Sequence, residues 1–157
     1  FINLQILFIL PNFFNGDGKS LKIIECGAIK TDPKSSLAIR LKKIYDGLVE
    51  VQLRLQPHFF CIENIFMHEN AKTAILLGHS RGVAMLSAIN FGLEVYEFTP
   101  REIKQSVVGN GNAAKEQVQF MVKTILNLKE IPKPADAADG LAAAIALSHA
   151  LKRDKKI

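Results

Sequence analysis

Three carboxylates in this sequence have the positions needed for chemistry on a phosphate. Glu63 follows the apolar run HFFCI at positions 58–62, which reads as a strand buried on both faces. A carboxylate at the carboxyl end of such a strand lies where open α/β sheets bind their ligands. Asp136 and Asp139 are three residues apart at the start of a predicted helix, so they share one helical face. Three such oxygen ligands would hold Mg²⁺, which takes its remaining ligands from water and substrate phosphates.

Two lysines could complete this site. Lys104 and Lys115 lie on either side of a glycine-bearing break at positions 107–112, where they could hold a phosphate backbone. Two metal ions between the carboxylates could clamp the attacking water and the leaving oxygen of a phosphodiester cleavage. Each residue also has a purely structural interpretation, because Glu63 could simply mark the exit of its strand into water, aspartates commonly cap helices and most lysines are solvated.

The elements that would position these residues can be predicted from apolar periodicity. Two strands joined by the turn Asn15-Gly16-Asp17-Gly18 form a predicted hairpin, and an amphipathic helix follows them. The predicted elements, in order, are strands 4–10 and 21–29, helix 35–55, the strand ending at Glu63, helix 70–92, strand 94–98, a short helix from Thr99, helix 113–128 and helix 136–151. This order predicts one mixed α/β sheet with helices on both faces.

The predicted helix 70–92 carries small residues among large apolar ones, so other elements can approach it closely on more than one face. Two interpretations fit that pattern. The helix is either buried within one domain or shared between the domain core and a second subunit, and periodicity does not separate the two.

Length and composition narrow the class of protein. A chain of 157 residues with 48% hydrophobic residues fits a single domain, 1–157, that ends in a basic tail at 152–157. The net charge of +5 favours an anionic partner, nucleic acid first. Cys26 and Cys61 lie in apolar runs and are expected to be buried thiols in a reducing compartment, which implies the cytoplasm. The apolar first residues lack the features of a signal peptide or a membrane span.

Three blocks of the sequence resemble a known family. They are CIENIFMHENAKTAILLGHSRGVAMLSAIN from position 61, YEFTPREIKQSVVGNGNAAKEQV from position 96 and ADAADGLAAAIALSHA from position 135. These blocks are similar to those of bacterial RuvC-type Holliday-junction resolvases, and the similarity runs from about Gly27 to His149. The resemblance implies an RNase H-like fold, a homodimer with paired sites, and symmetric nicking of four-way DNA junctions in recombination and repair. It also implies association with a branch-migration helicase complex.

The resemblance assigns roles by position. Glu63, Asp136 and Asp139 match the family's metal-binding carboxylates, which use Mg²⁺ or Mn²⁺. The implied DNA-binding residues are Phe66, where the family has an aromatic that stacks on bases at the junction centre, the basic residues Lys104 and Lys115, and Arg81 of a matching Arg-Gly.

Residues 1–26 depart from the family pattern. The family opens with a strand that ends in an aspartate, within a string such as I-L-G-I-D-P-G, and Leu10 stands where that aspartate is expected. Leucine offers no oxygen to a hard cation. Two functions therefore remain open: a metal-dependent junction-resolving nuclease, and a catalytically impaired protein of the same fold that binds junctions but cuts them slowly or not at all. A nucleotide-binding enzyme lacks support, because Gly109-Asn110-Gly111 matches neither a dinucleotide-binding nor a phosphate-loop motif.

Overall fold

The computed structural model describes residues 25, 27–64, 70–133 and 137–154 in full and the backbone of 6–9 and 135–136. The predicted turn at 15–18, Cys26, Leu10 and Phe66 lie outside the described residues. The elements are β1 (Ile6–Ile9), α1 (Leu37–Leu55), β2 (Phe59–Glu63), α2 (Ala71–Asn90), β3 (Glu94–Phe98), α3 (Pro100–Val108), α4 (Lys115–Ile125) and α5 (Ala135–Arg153).

Local sequence explains where the helices begin. The Asn70 side chain accepts hydrogen bonds from the backbone N–H groups of Lys72 and Thr73, at 3.0 and 3.3 Å, and so starts α2. Thr99 and Glu102 form a reciprocal capping box at the start of α3, with Pro100 in the first turn. The predicted helices α1 to α5 are confirmed to within a few residues at their ends.

The three described strands form a mixed sheet in the order β1-β2-β3. Strand β3 runs parallel to β2, with Glu63 opposite Phe98. Strand β1 runs antiparallel to β2, so Ile9 at its carboxyl end lies opposite Phe59, at the other end of β2 from Glu63. The predicted strand 21–29 is wrong for its described part, residues 25 and 27–29, which is irregular. A run that contains Gly27 and Ala28 has little to pack on a pleated surface.

Side chains on β2 alternate between two helical layers, as the two-residue period of a strand requires. Phe60 and Ile62 pack in one buried cluster with residues of α1 and α2. Phe59 and Cys61 pack in the other, with residues of α3, α4 and α5. Helices therefore cover both faces of the sheet, as predicted. Glu63 continues the face of α3 to α5, and by the same alternation the next residue along the chain turns toward α1 and α2.

Among the described residues, none of the helices combines the length and the apolarity needed to cross a membrane.

Candidate active site

A cavity of about 220 Å³ opens at the carboxyl end of β2. Four of the predicted site residues line it: Glu63 from β2, Lys104 from α3, Lys115 from α4 and Asp139 from α5. These residues are distant in sequence, and the fold brings them to one place at the edge where open α/β sheets bind ligands.

The turn between α3 and α4 places Lys115 beside the cavity. Gly109 ends α3 with φ of 80°, a conformation that favours glycine. The Gln105 side chain bridges the turn, since its amide donates to the Gly109 carbonyl at 2.9 Å and accepts from the Gly111 N–H at 3.0 Å. A Cβ on Gly111 would lie 2.6 Å from Cγ of Arg101. Both glycines therefore serve a tight turn, and α4 begins at Lys115 immediately after it.

Charge in the cavity is closely balanced. Lys115 Nζ lies 2.9 Å from Oδ2 of Asp139, in a half-buried ion pair. Burial raises the pKa of the Glu63 carboxyl, and repulsion from Asp139 raises it further, while Lys115 and Lys104 lower it. A carboxylate held at a raised pKa gains from any additional positive charge placed beside it.

The apolar part of the cavity lining was not identified from the sequence. Pro100, Ile103, Val118 and Ala142 line the cavity together with the charged groups. Helical spacing could have predicted two of these residues, because Val118 lies three residues after Lys115 and Ala142 three residues after Asp139, on the same helical faces. This apolar surface desolvates Glu63 and strengthens the electrostatic interactions around it.

The donor set suits a hard divalent cation. Glu63 and Asp139 offer carboxylate oxygens close enough to repel each other, and Mg²⁺ binds through one or two such groups with water and phosphate oxygens. The side chains that the structure describes contain no cluster of three metal ligands. The third predicted ligand, Asp136, lies in the first turn of α5, three residues before Asp139, and its side chain is outside the described set.

The structure does not bring Arg81 into this cavity. Its side chain, only 15% exposed, pairs with the Glu97 carboxylate and donates from Nη1 to Oδ1 of Asn64 at 3.0 Å. The cavity lining does not include Arg81. This placement argues against a contact between Arg81 and DNA at the cavity.

Comparison with known proteins decides the family. The model of the crossover junction endodeoxyribonuclease RuvC family matches residues 13–149. The chain belongs to the RuvC family. RuvC of Desulforamulus reducens is 48% identical over 128 residues, 82% of this chain and 78% of that protein. RuvC of Pelotomaculum thermopropionicum is 46% identical over 140 residues, 89% of this chain and 85% of that protein.

Solved RuvC structures agree with this assignment. The structure of Thermus thermophilus RuvC matches with a TM-score of 0.79 and 32% identity, covering 85% of this chain and 81% of that one. The same enzyme in complex with a Holliday junction substrate matches with a TM-score of 0.79 and 32% identity, covering 87% and 82%. The predicted family and the predicted RNase H-like α/β fold are confirmed. The family is one of junction endonucleases, and the roles of individual residues stay predictions.

Proposed function

We propose that this RuvC-family chain is a structure-selective endonuclease that resolves four-way DNA junctions by divalent-metal-dependent phosphodiester hydrolysis. The observation that carries the proposal is the meeting of Glu63, Asp139, Lys104 and Lys115 around one cavity. Two carboxylates and two lysine amines in a small cavity that is partly lined by apolar side chains suit a metal ion and the phosphate that it contacts. The described part of the chain offers no observation that favours the catalytically impaired alternative.

Each residue has a task in this proposal. Glu63 and Asp139, with Asp136, would hold the ion, which when bound supplies positive charge to the scissile phosphate and places the attacking water. Lys104 and Lys115 bind the phosphate oxygens on either side of the cleaved bond, since a protonated amine forms strong charge-assisted hydrogen bonds to them. Lys115 is held near the site by Asp139 until DNA arrives. Phe66 stacks on a base at the junction centre.

The proposal includes a homodimer formed through α2. Ile75, Leu86 and Ile89 are 62, 55 and 60% exposed, and they recur with Gly78 and Gly82 along one face of the helix. This stripe is about 21 Å long at 1.5 Å per residue, and no other described part of the chain comes within 4 Å of where a Cβ on Gly78 or Gly82 would lie. An isologous contact between two such faces supplies the twofold symmetry that paired cuts across a junction require. A second copy of this chain is therefore the occupant that suits the stripe.

Two further assignments rest on the family resemblance and on composition. We place the protein in the cytoplasm, where a buried free thiol such as Cys61 stays reduced. We also expect it to work with a branch-migration helicase complex. Co-purification with that complex on junction DNA would test the second assignment.

The proposed function is tested by comparing a four-way junction with linear duplex of the same sequence. We expect preferential binding to the junction, and Mg²⁺- or Mn²⁺-dependent cutting that EDTA abolishes. Lys104→Ala with Lys115→Ala should weaken binding and flatten the dependence of log K on log salt by about 1–2 units, at about 0.9 per phosphate contact.

The matched control removes two lysines from the other layer of the fold. Lys42→Ala with Lys43→Ala, on exposed positions of α1, changes the net charge equally and should leave the salt slope unchanged. Equal affinity for junction and duplex would refute the proposed function. Tight junction binding with no cutting in either metal would instead favour the impaired alternative.

A further inference from the structure

Arg81 connects the ends of the two parallel strands beside the cavity. Its guanidinium donates to Oδ1 of Asn64, the residue that follows β2, and pairs with the carboxylate of Glu97 in β3. The backbone continues the same connection, because the Asn64 N–H donates to the Phe98 carbonyl at 2.7 Å. Side chain and main chain thus hold the carboxyl ends of β2 and β3 together.

This network lies on the opposite face of the sheet from the cavity. Glu63 faces the layer of α3 to α5, whereas its neighbour Asn64 faces α2, which carries Arg81, as strand alternation requires. Glu97 pairs in register with Ile62, one residue before the cavity carboxylate. Arg81 therefore contacts Asn64, which directly follows Glu63. It also contacts Glu97, which lies opposite the residue that directly precedes Glu63.

The environment of Arg81 is that of a structural arginine. Its side chain is 15% exposed while that of its partner Glu97 is 41% exposed. Among the described residues the buried Nε finds no hydrogen-bond partner. Burying a guanidinium is unfavourable unless its nitrogens make hydrogen bonds or ion pairs. Here one terminal nitrogen donates to Asn64, directly after β2, and the other pairs with Glu97 in β3.

We propose that Arg81 is a positioning residue, whose fork between Asn64 and Glu97 fixes the backbone that carries Glu63 into the cavity. The proposal rests on the proposed function of that cavity. Groups that orient a metal-binding carboxylate without touching the metal typically contribute a factor of about 10–100 in metal affinity or activity. Loss of the fork frees the end of β2, so Glu63 no longer holds one position relative to Asp139.

The test uses Arg81→Met, which keeps the length and apolar contacts of the side chain and removes the fork. Hydrogen exchange of the Asn64 N–H should become at least ~10-fold faster, while the Cys61 N–H in the middle of β2 is unchanged, because the loss is local. Mn²⁺ affinity, measured by the electron paramagnetic resonance of free Mn²⁺, and the junction-cutting rate should both fall by about 10–100-fold. Arg81→Lys should restore only part of each, because one ammonium cannot make the fork.

A direct contact with DNA predicts a different pattern. Junction affinity in EDTA and its salt slope should be unchanged by Arg81→Met, whereas loss of a phosphate contact would reduce the slope by about 0.9. Arg54→Met is the matched control, because Arg54 also pairs with a glutamate, Glu25, and lies in the last turn of α1. It should change neither metal affinity nor cutting.

The outcomes separate this inference from the proposed function. A reduced salt slope, or an unchanged exchange rate at Asn64, overturns the positioning role. Faster exchange at Asn64 with unchanged Mn²⁺ affinity and cutting also overturns it. If the parent chain neither binds Mn²⁺ nor cuts, the proposed function fails, and the exchange rates still decide whether the fork holds the strand ends. Should Arg81→Met not fold, Asn64→Ala removes one prong and leaves the ion pair, with the same expectations.

Discussion

Glu63→Gln should abolish cutting and at the same time stabilise the protein. The carboxylate ends β2 beside Asp139, and burial and that repulsion raise its pKa above the ordinary 4.5. Ionised Glu63 therefore opposes folding wherever the pH exceeds its folded-state pKa. A glutamine at this position would keep the size of the side chain and remove the charge, and it would bind a divalent cation far less well than a carboxylate.

The sign and size of the stability change follow from proton linkage. Since the folded protein holds the Glu63 proton more tightly than the unfolded chain, the penalty is full once the pH exceeds the folded-state pKa and disappears as the pH falls to about 4.5. A stabilising substitution commonly contributes about 0.5–2 kcal/mol. At about 1 kcal/mol, a domain of this size would melt about 2–4 °C higher. Loss of a direct metal ligand should cost more than the factor of about 10–100 that loss of an outer-shell partner costs, so cutting should become undetectable.

Two assays check these expectations. Thermal unfolding of parent and Glu63→Gln at pH 4 and pH 7.5 should show a higher melting temperature for the variant only at pH 7.5. A junction-cleavage time course should show the loss of cutting with junction binding retained. Glu50→Gln, on an exposed position of α1, is the control and should change neither. Rapid cutting by Glu63→Gln, or a lower melting temperature at pH 7.5, would refute the reasoning.

Three further predictions concern assembly, the amino-terminal strand and the turn before α4. Gly82→Glu should convert a dimer to a monomer in sedimentation at micromolar concentration without unfolding it, because the added Cβ meets no atom of the described neighbouring residues within 4 Å. Phe120→Glu, 61% exposed on α4, is the control, and a monomeric parent would contradict the dimer. Leu10→Asp should leave the cutting rate unchanged. The carboxyl end of β1, at Ile9, pairs with Phe59, about 13 Å along β2 from Glu63 at 3.3 Å per residue. Faster cutting would show that β1 contributes to the site. Gly109→Ala should lower stability by about 1–2 kcal/mol in urea unfolding, since φ of 80° is strained for alanine; no change would mean that the turn relaxes.

Local sequence determined most of the elements and part of the site. The capping box at Thr99, the helix start at Asn70 and the apolar run before Glu63 each act over a few residues, so they can be predicted without the fold. The resemblance added the family and the match of Glu63, Asp139, Lys104 and Lys115. Their types and spacing already suited phosphate chemistry.

Tertiary structure decided which residues share a surface. Arg81 lies in a block that resembles the family, yet its side chain turns to the opposite face of the sheet from the cavity. The direction of β1 also follows from pairing with β2, which a four-residue strand does not reveal by itself. The apolar part of the cavity lining exists because α3, α4 and α5 meet there. Such contacts join residues far apart in sequence, and their free energy depends on burial and packing that only the folded chain creates.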